Sequence, residues 1–315
     1  MQKLLIGGKL ISNKNEITMY IPIPDENELL SKLPEIEKLE YVTKGGFKAV
    51  FKGRHKSGNE EAVKAIFIPE EGDVSPEIRG QLVARAMREI RALGEQLSKT
   101  MVRLGDLEPE ELILGGHSYI VYSEEFVDGS PLSDRVKKFD KLSYPELSLI
   151  LSQFTDLIED LWKNNYLHRD LKPANIMETR NPTRPYVVLD MGIAYKMTGT
   201  DLTLGVTPPG TVRYMAPELL ELGYKDQMDF RSDLYSLGVT IFELATGSNP
   251  FAPSPQDVFT TRHKILTETP PRLENLRPDL PAKFCRIIDR CIKKRIALRY
   301  SQFDQLRKQL SEVTK

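Results

Sequence analysis

The sequence is poor in the residues that staple small folds or ligate soft metals. Among its 315 residues there are only 2 cysteines, 4 histidines and 1 tryptophan. Two cysteines, Cys285 and Cys291, exclude both a disulfide scaffold and a four-cysteine zinc site. In a helical stretch they read as small buried hydrophobes. Long hydrophobic runs are missing too. Residues 1–11 carry a short apolar patch broken by Gly7, Gly8 and Lys9, and the apolar run 237–245 is far below the ~20 residues that span a bilayer. The N-terminus lacks a signal-type apolar core with a cleavage site, so a cytoplasmic location without a membrane partner is expected. An excess of charge of one sign is also absent. Lys plus Arg is 44 and Asp plus Glu is 45, a net charge of −1, which is a poor footprint for a nucleic-acid binder. The basic set Lys283, Arg286, Arg290, Lys293, Lys294 and Arg295 has the spacing of one solvated helix face, so no nucleic-acid partner is expected.

What is present fits a soluble enzyme: 40% hydrophobic and 28% charged residues. A chain of this length suggests about two domains, or one large one, and buries about three quarters of its unfolded surface without a covalent staple. Residues 1–37 carry Pro22, Pro24 and Pro34 and read as an N-terminal extension. Strands are predicted over 49–52 and 62–68, on either side of the turn-like Lys56-Ser57-Gly58-Asn59. A helix over 76–97 follows, with Ile78, Leu82, Ala86, Ile90 and Leu93 on one face, and then a strand over 118–126. Past residue 127 the character turns helical. Ser143 and Glu146 form a capping box that opens a helix burying Leu147, Ile150, Leu151, Phe154, Leu157, Ile158 and Leu161. After a loop-rich stretch over 164–217, helical patterns return over 233–245 and 283–294. A strand-rich part followed by a helical part leaves a cleft as the natural ligand site.

The chemistry-bearing residues are ordered along the chain. His168-Arg169-Asp170-Leu171-Lys172-Pro173-Ala174-Asn175 follows the buried-type helix, Asp190 ends the apolar strand 186–189, and Gly210-Thr211 precedes Tyr214-Met215-Ala216-Pro217-Glu218. A loop Asp or Asn by itself is usually a turn residue. This ordered set resembles the eukaryotic-like (Hanks-type) Ser/Thr protein kinase family, over roughly residues 38–312. The resemblance implies an α+β, two-lobed protein kinase fold. It consists of a β-rich N-lobe (38–126) with one key helix and a mainly α-helical C-lobe (127–315), together one kinase domain over 38–315. It also implies a Mg-ATP-dependent enzyme that phosphorylates Ser/Thr hydroxyls of proteins and its own activation segment.

Each role that follows is carried over from the family. Asp170 is the catalytic base, and Lys172 steadies the γ-phosphate. Asn175 and Asp190 hold the metal, and such hard oxygen ligands suit Mg²⁺ or Mn²⁺ rather than zinc. His168 is structural. Lys64, in Ala62-Val63-Lys64, anchors phosphates and is oriented by a carboxylate, Glu89 being preferred over Glu77 and Glu95. The Glu125 carbonyl and the Val127 amide bond the adenine edge, and Val50, Ala62 and Met177 sandwich its ring. Either Glu124 or Ser123 controls the back pocket, where an apolar residue is commoner. Thr211 touches the catalytic aspartate, Arg299 pairs with Glu218, and Asp233 belongs to the helical platform. Thr203 and Thr207 lead Thr198 and Thr200 as activation-segment phosphosites, with Arg169 as the phosphate partner.

The sequence departs from the family at the glycine-rich loop, Thr43-Lys44-Gly45-Gly46-Phe47-Lys48-Ala49-Val50, which keeps only the middle glycine, Gly45, and Val50. Glycine lets backbone N–H groups approach phosphates closely, so altered nucleotide coverage is expected, with Lys48 adding charge near the phosphates. The competing readings are a pseudokinase scaffold, opposed by the retained Lys64, Asp170, Asn175 and Asp190, and a small-molecule phosphotransferase, opposed by Lys172 and the 210–218 segment.

Overall fold

The computed structural model describes residues 5–6, 9–11, 17–19, 21–45, 47–70, 72–190, 195–196, 212–220, 228–254 and 257–313. The chain divides into two compact units, Met1–Gly94 with Arg103–Phe126, and Glu95–Val102 with Val127–Lys315.

The first unit is strand-rich. Three short strands, β1 (Leu5–Ile6), β2 (Lys9–Ile11) and β3 (Ile17–Met19), form a small antiparallel sheet. The main sheet has β4 (Ile36–Gly45), β5 (Lys48–His55), β6 (Glu60–Ile68), β7 (Glu110–Leu114) and β8 (His117–Glu125) in the order β4-β5-β6-β8-β7, all antiparallel. Alternation sorts its side chains between two faces. Ala49, Phe51, Val63, Ala65, Phe67, Tyr119 and Val121 pack as one apolar cluster. Leu29 and Leu33, at helix α1 (Glu26–Lys32), complete that cluster. The start of α1 is fixed by Asp25, whose carboxylate accepts from the amides of Asn27 and Glu28 at 3.0 Å each. Thus residues 26–33 belong to the same core as the strands. The opposite face carries Lys48, Val50, Ala62, Lys64, Tyr122 and Glu124, which the pairings Val50↔Lys64, Lys64↔Tyr122 and Ala62↔Glu124 set side by side. Helix α2 (Pro76–Gly94) packs against β6. It ends three residues before the sequence expectation, and Ile78 on its expected buried face is exposed, while Ala86, Ile90 and Leu93 are buried.

The second unit is mostly helical. β9 (Gly129–Pro131) leads into α3 (Leu132–Lys137) and α4 (Tyr144–Lys163). The α4 start carries the expected capping contact, the Ser143 amide donating to Glu146 at 2.7 Å, and all seven residues of its expected apolar face are fully buried. β10 (Tyr166–Leu167) pairs with β13 (Tyr195–Lys196), and β11 (Ile176–Thr179) lies between β12 (Tyr186–Val188) and β9. Then come α5 (Pro217–Leu220), α6 (Phe230–Thr246), α7 (Val258–Thr267), α8 (Leu273–Leu276), α9 (Ala282–Cys291) and α10 (Phe303–Ser311). Helix α6 is buried along nearly its whole length and packs on α4 and α9.

Contact between α6 and the end of α9 is close. A Cβ on Gly238 would lie 2.8 Å from both the Cys291 Cβ and the Ile292 Cγ2. Both cysteines are free and fully buried, and burial pushes their thiols up, to about 11 for Cys285 and about 12 for Cys291. They act as small core residues, as the sequence implied. Gly238→Val is expected to destabilise the chain by ~2 kcal/mol through overpacking, read as a lower urea midpoint. An unchanged midpoint would show that the two helices can separate without cost.

Candidate active site

In the second unit, α6 holds the loop after β10 from below. The Asp233 carboxylate accepts the backbone amides of His168 and Arg169, both at 2.8 Å. Two turns further along α6, the Thr240 hydroxyl donates to the Leu171 carbonyl at 3.2 Å. Arg169 has φ +65°, a left-handed conformation that a non-glycine residue keeps only when its surroundings impose it. Asp233 is 1% exposed, and burial raises its carboxyl to about 6 against the two amide hydrogen bonds and the Arg169 charge.

This clamp presents Asp170. Lys172 Nζ lies 2.9 and 2.8 Å from its two carboxylate oxygens, and Asn175 Nδ2 donates to Oδ2 at 2.9 Å and to the Asp170 carbonyl at 3.0 Å. Burial raises the Asp170 pKa. Lys172 and Asn175 oppose the rise, and the Asp190 charge adds to it. Asn175 closes a single 3-10 turn, Pro173–Asn175, and its carbonyl accepts the Leu189 amide at 2.9 Å, which brings Asp190 in beside it. The strand before Asp190 is itself strapped: the Val188 amide donates to Thr100 and its carbonyl accepts from Val102, both at 2.9 Å.

The donor chemistry suits a hard cation. Asn175 spends Nδ2 on Asp170, leaving its carbonyl oxygen as the ligand atom, and Asp190 adds a carboxylate. The expected set Asp170, Lys172, Asn175 and Asp190 is therefore assembled within this unit. Met177 is half-buried on β11. Glu218 and Arg299 form a buried bidentate ion pair at 2.6 and 2.8 Å, as the resemblance implied. Gly46, Gly210, Thr211 and the four candidate phosphosites, Thr198, Thr200, Thr203 and Thr207, lie outside the described residues.

The first unit holds the other expected residues and departs from one expectation. Lys64 pairs with Glu124 at 2.6 Å, while Glu89 pairs with Lys48 at 2.5 Å. The expected orientation of Lys64 by Glu89 is therefore replaced by two separate pairs. Glu77 and Glu95, the other partners considered, are not in this cluster either, Glu95 accepting from Tyr166 in the second unit. Tyr122 joins the two pairs, its hydroxyl lying 3.4 Å from Glu89 and 3.3 Å from Glu124. Register decides between Ser123 and Glu124. Glu124 shares the Lys64 face, whereas the Ser123 hydroxyl accepts the Leu107 amide on the other side. Gly45 ends β4 and is exposed; Val50 and Ala62 are half-buried on the Lys64 face. The Glu125 amide donates to the Arg103 carbonyl at 3.0 Å, and Val127 begins the second unit. Tyr122 and Thr240 went unnoticed in the sequence. Only the β6–β8 register and the α6 packing reveal them.

A protein kinase domain model matches residues 36–310 of the chain. The chain belongs to the protein kinase family. It is 32% identical over 307 residues to the serine/threonine-protein kinase pkn3 of Myxococcus xanthus, covering 93% of this chain and 52% of that protein. It is 28% identical over 263 residues to PknH of Mycobacterium tuberculosis (84% and 39%), and 30% identical over 250 residues to human ULK1 (76% and 22%). This kinase domain thus spans about half or less of the length of these curated relatives. Among the described residues no helix is long and apolar enough to cross a membrane.

Burial also sets a pH signature for the kinase fold. The His168 ring is fully enclosed and its pKa is held down to about 4, with the Asp190 charge opposing. Between pH 4 and the ordinary 6.5 the unfolded chain binds a proton here that the folded chain refuses. His168 therefore makes stability rise with pH across that window, by up to roughly 3 kcal/mol. Asp233, with its raised pKa, acts in the opposite sense between 3.8 and about 6, and does so in both chains compared. His168→Phe is expected to remove the His168 contribution, seen as a gentler loss of urea stability on acidification. Equal acid slopes in the two chains would contradict it.

Proposed function

We propose that this chain transfers the γ-phosphate of ATP to Ser or Thr hydroxyls of proteins. The observation that carries the reading is the Asp170–Lys172–Asn175 constellation, held over α6 by Asp233. Transfer of a phosphoryl group asks little covalent chemistry of a protein; it needs an acceptor oxygen placed and deprotonated, and charge neutralised. Asp170 would accept the hydroxyl proton. Burial raises its proton affinity, while Lys172 and Asn175 oppose the rise and aim the carboxylate. Lys172 would then steady the γ-phosphate. Asn175 and Asp190 would hold Mg²⁺ or Mn²⁺, which would neutralise the polyphosphate. Lys64 would anchor phosphates from the first unit, and Gly45, at the end of β4, would cover them. Val50, Ala62 and Met177 would flank the adenine, and Glu125 and Val127 would bond its edge through the backbone. The relatives are named as serine/threonine-protein kinases, which supports the Ser/Thr acceptor class, and so does Lys172 in Asp-x-Lys-Pro.

The test is transfer of label from γ-labelled ATP with Mg²⁺ to a generic basic protein. Asp170→Ala is expected to cut the rate by about 10² to 10⁴, and Asp190→Ala to abolish metal-dependent turnover. Label that appears in the wild type and persists in both variants would overturn the assignment.

A further inference from the structure

The Lys64 face of the first unit's sheet carries Lys48 and Lys52 as well, where the family resemblance called for one lysine. We propose that Lys48 is a second phosphate-contacting residue of the nucleotide site, positioned by Glu89, and that Glu124 takes over the positioning of Lys64. The proposal rests on the nucleotide reading given above and deepens it.

Three observations carry it. First, the register places both cations on one face. Lys64 lies opposite Val50, and Lys48 is two residues before Val50 on the same strand, so the two lysines are diagonal neighbours about 7–8 Å apart along the backbone. Lys48 begins β5 and pairs with Gly45 at the end of β4. The residue before it is fastened to the sheet, because the Phe47 carbonyl accepts the Phe67 amide at 2.8 Å and the Phe47 ring packs against the core. A lysine that follows an anchored residue has a fixed origin.

Second, the carboxylates are buried. Glu89 is 2% exposed and Glu124 is 1% exposed. A carboxylate at that depth costs several kcal/mol unless it is paired, so each holds its lysine firmly. Glu89 pairs with Lys48 and Glu124 with Lys64. The Tyr122 hydroxyl lies 3.4 Å from Glu89 and 3.3 Å from Glu124.

Third, the lysines remain chemically competent after pairing. An ammonium carries three donors, so a carboxylate partner does not by itself exclude a phosphate contact. Lys48 also keeps 19% of its side chain exposed, whereas Lys64 keeps 5%. Lys48 is thus the more accessible of the two for an entering polyanion. A lysine at this position keeps its backbone N–H and adds a side-chain charge, and that charge meets the α2 carboxylate Glu89.

The experiment measures binding of MgATP and of adenosine to the intact chain by calorimetry. The chains compared are wild type, Lys48→Met, Lys48→Arg, Lys64→Met, Glu89→Gln, Glu124→Gln and the double variants. Lys48→Met is expected to weaken MgATP about tenfold while leaving adenosine, which has no phosphates, within about twofold. Lys48→Arg is expected to restore most of the loss. Glu89→Gln should weaken MgATP in the wild type and add nothing in Lys48→Met, yet add fully in Lys64→Met. Glu124→Gln should behave conversely, adding nothing in Lys64→Met. MgATP binding unaffected by Lys48→Met, or adenosine weakened equally, would overturn the phosphate contact. Glu89→Gln silent in Lys64→Met but additive in Lys48→Met would overturn the partner assignment. A wild type that binds no nucleotide would overturn both this proposal and the kinase reading. Retained label transfer with an insensitive Lys48 would overturn this proposal alone.

Discussion

The second unit depends on one buried carboxylate. Asp233 on α6 accepts two consecutive amides, those of His168 and Arg169, and so fixes a stretch of backbone that includes a left-handed non-glycine residue. Such a conformation costs of order 1–3 kcal/mol and persists only where it is imposed. Every chemistry-bearing group downstream inherits its position from that clamp. Asp170 follows Arg169 directly, Lys172 and Asn175 are measured from Asp170, and Asp190 is located through the Asn175 carbonyl and the Leu189 amide. The clamp is affordable because α6 lies deep in the helical core, with Gly238 admitting the end of α9 closely enough to exclude water from around it.

The first unit solves the opposite problem, that of presenting cations on a sheet. A sheet offers two faces by alternation, and here they do different work. One face makes the apolar cluster with Leu29 and Leu33, and the other carries the lysines. Lysines half-sunk on such a face need carboxylates, and three elements supply the network: Lys48 from β5, Glu89 from α2, and Tyr122 and Glu124 from β8 around Lys64. The acidic residue at 124 is paired with Lys64, while the α2 carboxylate Glu89 is paired with Lys48.

Much of this was legible in the sequence, where local chemistry suffices. The seven apolar residues of α4 follow from a 3.6-residue period and are all buried. Asp170, Lys172 and Asn175 lie within one loop, so their spacing alone brings them together. Other expectations needed distance in space. The Lys64 partner was misassigned because spacing along a helix does not say which strand residue it meets. The far end of α2 was overextended, since Glu95–Val102 leaves the helix to strap onto β12 in the second unit. Residues 26–33 looked like an extension because prolines flank them, yet two leucines there fill the sheet core.

The sequence by itself determined the fold class, the loop that carries Asp170, and the family to which the chain belongs. Those are written in local periodicity and in short-range order, which survive any change of packing. Only the tertiary structure decided which carboxylate meets which lysine, that Tyr122 joins the two pairs, and that Thr240 shares with Asp233 the support of the loop that carries Asp170. These contacts join residues that lie far apart in sequence. Strand register and helix packing select them by burying apolar surface, and the polar pairings follow from that geometry.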